Sequence, residues 1–239
     1  MAKPIRFESL ILHEDEDVLL VNKPAHIASL DQRQGTEPSL LALAKKYCAS
    51  AQLCHRLDKE TSGVLVIAKN AEAYRGVSML FESRKVHKTY HAVVAGQLQV
   101  EQKVVDLPLS ITRNGLAKID LKEGKTAQTV LNTVALYHKH TLVACNPISG
   151  RLHQIRIHLS AIHFPIIGDV QYGGKPLLLS SLKRNFKTGK FEEEQPFMKR
   201  VALHAYQIAF TLNNREYNVV APYPKDMDVL VKTLEKLDR

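Results

Sequence analysis

Apolar residues fall mostly in short aliphatic runs, each closed by Pro, Gly or a charged turn, and only four stretches carry a helical period. Leu10-Ile11-Leu12 and Val18-Leu19-Leu20-Val21 predict two strands separated by the acidic turn His13 to Asp17. Pro24 ends the second, because proline has no ladder donor. After a polar loop, a helix is predicted from about Pro38 to Ala49, with Thr36 as its N-cap and Pro38 in its first turn. Val64-Leu65-Val66-Ile67-Ala68 reads as a buried strand, and a second helix is predicted from about Ala71 to Arg84. Lys88 to Ala95 alternates as a strand carrying Tyr90. The turn-rich region from Glu101 to Lys125 holds extended pieces around Val104-Val105 and Ala117-Lys118-Ile119. Gln128 to Tyr137 and Thr141 to Cys145 pair in length around Lys139-His140, which predicts a hairpin.

Gly150 introduces a third helix, Arg151 to Ile162, stopped before Pro165. Ile155, Leu159 and Ile162 share its apolar face. His153, Arg156 and Ser160 fall on the other side, so by pattern Arg156 is not a core residue. Residues 175–200 form a polar insert with a basic cluster (Lys183, Arg184, Lys187, Lys190) and the acidic Glu192-Glu193-Glu194, expected to be a mobile surface loop. Strands near Ala205 to Thr211 and Glu216 to Val220 precede a closing amphipathic helix, Asp226 to Leu237. No repeat or linker divides the chain. The expectation is one domain over residues 1–239, α+β in class, on a mixed, largely antiparallel sheet with flanking helices.

Composition adds one departure from the ordinary: a net charge of +9, which points to an anionic partner, nucleic acid before membrane surface. The three cysteines have no CxxC spacing, so neither a disulfide framework nor a zinc site is expected. No signal peptide or membrane-length apolar run is present, and a cytoplasmic, monomeric protein that does not engage a membrane is expected. Gly-rich phosphate loops, G-x-S-x-G and H-E-x-x-H are absent. His153, His158 and His163 recur every five residues, which rotates around a helix instead of sharing a face. The histidines read as polar surface and RNA-contact residues, and no metal or cofactor is expected.

The stretch with most chemistry is His55-Arg56-Leu57-Asp58-Lys59-Glu60-Thr61-Ser62-Gly63, a charged turn feeding the buried strand. Alone, it is a turn opened by Asp58 beside a solvated Arg56. Tyr90 alone reads as a core aromatic and Arg156 as a solvated helix residue, while Arg151 and Lys88 suit phosphate contacts.

Joint occurrence changes this reading. Asp17 to Pro24, the H-R-L-D-x-x-T-S-G stretch, Lys88-Thr89-Tyr90, and Ser149 to His158 with Pro165-Ile166-Ile167-Gly168-Asp169 occur together in order. They resemble the motifs of the RluA-type pseudouridine synthases, enzymes of rRNA and tRNA modification, and the resemblance extends from about residue 8 to about residue 222. His26 stands where that family usually has Gly, and His163-Phe164 replaces its more usual Gly-His. Both departures bear on loop shape. The first motif lies too near the start for an N-terminal S4-type domain, which favours the compact tRNA-directed or dual-substrate members.

The resemblance implies an α+β pseudouridine synthase fold and a reaction without cofactor, metal or redox step. The C1′–N1 bond of a uridine breaks, the uracil turns, and it rejoins through C5. Asp58 is implied as the carboxylate acting at C1′, as nucleophile or as base of an elimination. Arg156 is implied as its partner, lowering its pKa and fixing its orientation. Tyr90 would stack on the flipped-out base, and Arg56 would fill the void in the RNA. Leu203 would pack on the other side of the uracil, Lys88 and Arg151 would contact phosphates, and His153 and Gln154 would support the helix start and the RNA strand. The alternative is a non-catalytic RNA-binding or assembly protein on the same fold. Asp58 argues against it, since a binder facing a polyanion is better served by Asn there. A hydrolase using Asp58 with a histidine ranks far behind, having no second placed carboxylate.

Overall fold

Seven consecutive residues, Ser62–Ala68, form a strand with no exposed position. That is why this run shows no polar alternation: a strand covered on both faces carries apolar side chains throughout. The computed structural model describes residues 5–31, 37–183 and 194–238. In chain order they form β1 (Ile11–Glu14), β2 (Val18–Lys23), α1 (Leu40–Tyr47), β3 (Gln52–Leu53), β4 (Ser62–Ala68), α2 (Ala71–Glu82), β5 (His87–Ala95) and β6 (Lys103–Asp106). There follow β7 (Leu109–Ile111), β8 (Ala117–Ile119), β9 (Gln128–Leu136), β10 (His140–Pro147), α3 (Gln154–Ala161), α4 (Leu179–Leu182), β11 (Leu203–Leu212), β12 (Arg215–Val220) and α5 (Lys225–Leu237). The class is α+β, as expected, and the pairing within the sheet is largely antiparallel.

The chain forms two compact units, each made of two stretches. The first comprises residues 1–89 and 204–222. In it β4 pairs along one edge with β2, from Val18 opposite Ala68 to Lys23 opposite Gly63. The other edge of β4 is shared. β3 takes its end at Ile67 and Ala68, and β11 runs parallel to its start, with His204 opposite Ser62 and Ala205 opposite Gly63. Gly63 is required there: its φ is +120°, and a Cβ would come within 2.2 Å of the Ala205 carbonyl oxygen.

The turn between β1 and β2 is fixed by Asp15. Its carboxylate accepts from the Asp17 and Val18 N–H groups, the Arg215 guanidinium and the Tyr217 hydroxyl. Burial pushes this carboxyl up, but the four bonds outweigh it and hold it well below the usual range. Asn70 caps α2 by accepting from Ala73 N–H. At α1 the cap is Ser39, accepting from Ala42 N–H, so the helix starts at Leu40; Thr36 lies outside the described residues.

The second unit comprises residues 90–203 and 223–239. Its sheet runs β5–β10–β9–β6, antiparallel throughout, and β7 and β8 make a separate hairpin. Val93, Val94 and Val143 of the sheet share a core with Ile155 and Leu159 of α3 and Met227, Leu230 and Leu234 of α5. The expected helix face is therefore correct for Ile155 and Leu159. It was incomplete for Arg156, which is buried, contrary to its polar position in the pattern. A buried guanidinium needs a carboxylate that the periodicity of one helix does not reveal. Four histidines also depart from the expected surface role, while His26, His87, His138 and His163 are exposed. His91, His140, His158 and His204 are buried as hydrogen-bonding hubs.

The ends of the 175–200 insert are not surface loop. Leu177, Met198 and Arg200 are buried, and Phe197 N–H donates to Leu177 O at 2.9 Å. Arg200 is held by Asp226 through two bonds of 2.7 and 3.0 Å. Of the expected basic cluster, Arg184, Lys187 and Lys190 lie outside the described residues, as do Glu192 and Glu193.

Candidate active site

In the first unit the His55 to Gly63 stretch is anchored on both sides of Asp58. His55 Nε2 accepts from the Val66 N–H at 3.0 Å, so the neutral ring carries its proton on Nδ1. The ring packs on Phe81, with centroids 4.7 Å apart, and burial lowers its pKa to about 3, with Lys88 adding to the effect. Leu57 is buried; its N–H donates to Ser29 Oγ, and that hydroxyl donates back to Leu57 O at 2.7 Å. After Asp58, the Lys59 carbonyl accepts from His26 N–H at 2.7 Å and from the fully buried Lys23 ammonium at 3.4 Å. The same ammonium donates to Pro24 O and Ile27 O. Thr61 N–H closes the turn on Asp58 O.

Arg56 is exposed and Asp58 half-buried, so burial alternates along His55-Arg56-Leu57-Asp58 between anchored and outward residues. Lys88 is half-buried, its Nζ 6.0 Å from the Phe81 ring centre, and burial lowers its pKa to about 8.

In the second unit Tyr90 lies on β5 opposite Cys145 and packs partly buried against the core. Leu203 is buried in that same core. The segment before α3 is shaped by Gln154, whose amide is itself buried. Its Oε1 accepts from Ser149 Oγ and Arg151 N–H, and its Nε2 donates to Gln128 O and Thr129 Oγ1. Arg151 is exposed, with Nε donating to Thr126 O. His153 adopts a left-handed φ of 51° and its Nδ1 meets the Tyr172 hydroxyl at 2.8 Å. His158 donates from Nε2 to Leu107 O, leaving Nδ1 to accept from Thr129, and burial lowers the pKa of this ring.

Arg156 is held by Asp169. Nε donates to Oδ2 and Nη2 to Oδ1, both at 2.7 Å, and Nη2 also donates to Gln171 Oε1 at 2.9 Å. The guanidinium carbon lies 4.9 Å from the Tyr172 ring centre. No role was expected of Asp169, although it lies within a motif segment, nor of Gln171, Tyr172, Ser29 or His204. Among the described residues no group of three His, Cys, Asp or Glu side chains could hold a metal ion. No helix among them is long and apolar enough to cross a membrane.

A stretch that contains Asp58, Tyr90 and Arg156, residues 17–161, matches the family model for RNA pseudouridylate synthase. The chain belongs to this family. It is 35% identical over 239 residues to ribosomal large subunit pseudouridine synthase C of Buchnera aphidicola, covering 97% of this chain and 71% of that one. To the dual-specificity RNA pseudouridine synthase RluA of Vibrio parahaemolyticus it is 32% identical over 208 residues, covering 84% and 76%. Among solved structures, human RNA pseudouridylate synthase domain containing 4 superposes with a TM-score of 0.76 at 27% identity, covering 96% of this chain and 95% of that one. The protein is thus an RNA pseudouridine synthase, an isomerase of the RluA type.

Proposed function

We propose that this synthase isomerises specific uridines in rRNA, tRNA or both, with Asp58 acting at C1′ of a flipped-out uridine. Support for rRNA comes from the Buchnera relative, named for the large ribosomal subunit, and for more than one target from the dual-specificity relative. The observation that carries the role of Asp58 is its anchoring: Leu57 before it and Lys59 after it are each tied down by side chains of the 23–29 segment. A carboxylate on so restrained a turn is suited to meeting one sugar carbon repeatedly in the same geometry.

In this reading the Asp58 carboxylate attacks C1′ or removes a sugar proton as the C1′–N1 bond breaks. The uracil turns, C5 bonds to C1′, and the C5 proton leaves. Arg156 orients the carboxylate. Tyr90 supplies the stacking face, and Arg56 enters the gap left by the flipped base. Lys88, Arg151, His153 and Gln154 belong to the RNA-binding surface and its support. Leu203 would complete the base pocket. The enzyme works as a cytoplasmic monomer without cofactor.

The test is release of tritium from RNA labelled at uridine C5. Asp58→Asn and Asp58→Ala are expected to abolish release while RNA binding persists. Undiminished release by either variant would sink the assignment.

A further inference from the structure

The segment that follows β2 is tied to the turn carrying Asp58, and both belong to the first unit. The fully buried Lys23 ammonium donates to Pro24 O and Ile27 O, both at 2.9 Å, on either side of His26. His26 N–H donates to Lys59 O at 2.7 Å, and the same carbonyl accepts from Lys23 at 3.4 Å. The backbone of His26 is therefore pinned to the residue directly after Asp58 and moves with that turn.

His26 has φ +67°, in the left-handed region, and its side chain is exposed. Glycine enters that region freely; among residues with a Cβ it is costly, least so for Asn, Asp and His. Any of these four would suit the backbone here, and histidine alone among them brings a ring. Among the described residues that ring makes no hydrogen bond, ion pair or ring contact. The departure from the family's usual Gly thus adds an aromatic face to a backbone that Gly fits, contrary to the expectation that it bears on loop shape. Exposed Arg56 and Lys59 flank Asp58 and outnumber the exposed Glu60, so the surface beside the ring suits a polyanion.

We propose that His26 is an RNA-binding residue whose imidazole stacks on a nucleobase next to the uridine on which Asp58 acts. This rests on the reading in which Asp58 meets C1′ of that uridine. Stacking on an aromatic side chain tolerates any base, because each has a π-face. The contact forms on binding and is kept while the bond breaks, so it contributes to affinity and not to turnover.

The experiment compares the parent protein with His26→Asn and His26→Gly on total RNA labelled with tritium at uridine C5, taken from cells lacking this gene. Both replacements suit the left-handed backbone, so melting temperatures should stay within a few degrees of the parent. Both lack the ring, and apparent KM is expected to rise about 5–10-fold, the lower end for one base stack, with kcat nearly unchanged. The slope of log affinity against log salt should not change, whereas loss of a phosphate contact would lower it by about 0.7–0.9. Parent-like KM in both variants would overturn the proposal. Parent-like KM in His26→Asn beside a raised KM in His26→Gly would show a polar contact in place of stacking, and would overturn it too. A fall in kcat, or a rise in KM matched by a lower melting temperature, would assign His26 to the structure of the turn and overturn it as well. Undiminished release by Asp58→Asn would overturn the underlying reading and the proposal with it. Abolished release there, beside parent-like His26 variants, would overturn the proposal alone.

Discussion

Ser62 Oγ and His204 Nδ1 lie 2.9 Å apart, both fully buried, across 142 positions of sequence. His204 Nε2 meets the Ala221 carbonyl at 3.0 Å, and a carbonyl only accepts, so Nε2 bears the hydrogen. In the neutral ring Nδ1 then accepts from the Ser62 hydroxyl. This bond joins the first residue of β4, just past the Asp58 turn, to β11.

Ser62→Ala strips Nδ1 of that donor and is expected to cost about 1–3 kcal/mol of folding stability. His204→Ala should cost as much or more, since it also leaves a cavity. The double variant should be less destabilised than the two losses added. Urea unfolding of the four proteins measures this, and strict additivity would show that the pair does not act as a unit.

Gly63→Ala is expected to be far more damaging than its size implies. The added Cβ would need to displace the backbone of β11 at Ala205 and sit at φ +120°. A loss above about 3 kcal/mol is expected from clash and strain together. A variant melting within a few degrees of the parent protein would contradict the close approach of β4 and β11.

Acid should weaken the protein through His55. Its folded pKa is depressed to about 3, while an unfolded histidine titrates near 6.5. The stabilisation is therefore complete above pH 6.5 and is lost as pH falls from 6.5 towards 3, by up to about 1.4 kcal/mol per pH unit. His55→Gln keeps an acceptor for Val66 N–H and cannot take a proton. Unfolding free energies from pH 7 to pH 5 should fall more steeply for the parent than for this variant; parallel lines would refute a buried neutral His55.

Alkali should act on RNA binding through Lys88. Burial lowers its pKa to about 8, so it is mostly charged at pH 7 and mostly neutral by pH 9. If it contacts phosphate, affinity should drop about threefold across that range, the size of one modest ion pair. Lys88→Arg stays charged and should bind evenly. Fluorescence anisotropy with labelled RNA tests this, and the same decline in Lys88→Arg would remove Lys88 from the RNA-binding surface.

The apolar runs made most strands legible, because β2, β4 and β10 are buried over lengths that leave no helical reading. β3 and β7, of two and three residues, are too short to show a period and were not expected as strands. Arg156 was misjudged because a helical wheel shows one element, and its partner Asp169 belongs to the turn beyond. Likewise nothing local joins Asp15 to Arg215 and Tyr217, or Ser62 to His204. The candidate site was legible as ordered motifs. What the motifs concealed was their support: Ser29 on Leu57, Lys23 on Lys59, and Asp169 on Arg156.

The parallel contact of β11 with the start of β4 also sets a schedule for biosynthesis. A ribosome adding about 5–20 residues per second delivers His204 roughly 7–28 s after Ser62. For that interval the nascent chain exposes an incomplete strand edge just past the Asp58 turn, the kind of edge that recruits other chains. Translation that stalls before residue 204 leaves a polypeptide bearing the whole H-R-L-D-x-x-T-S-G signature and no β11 beside the start of β4.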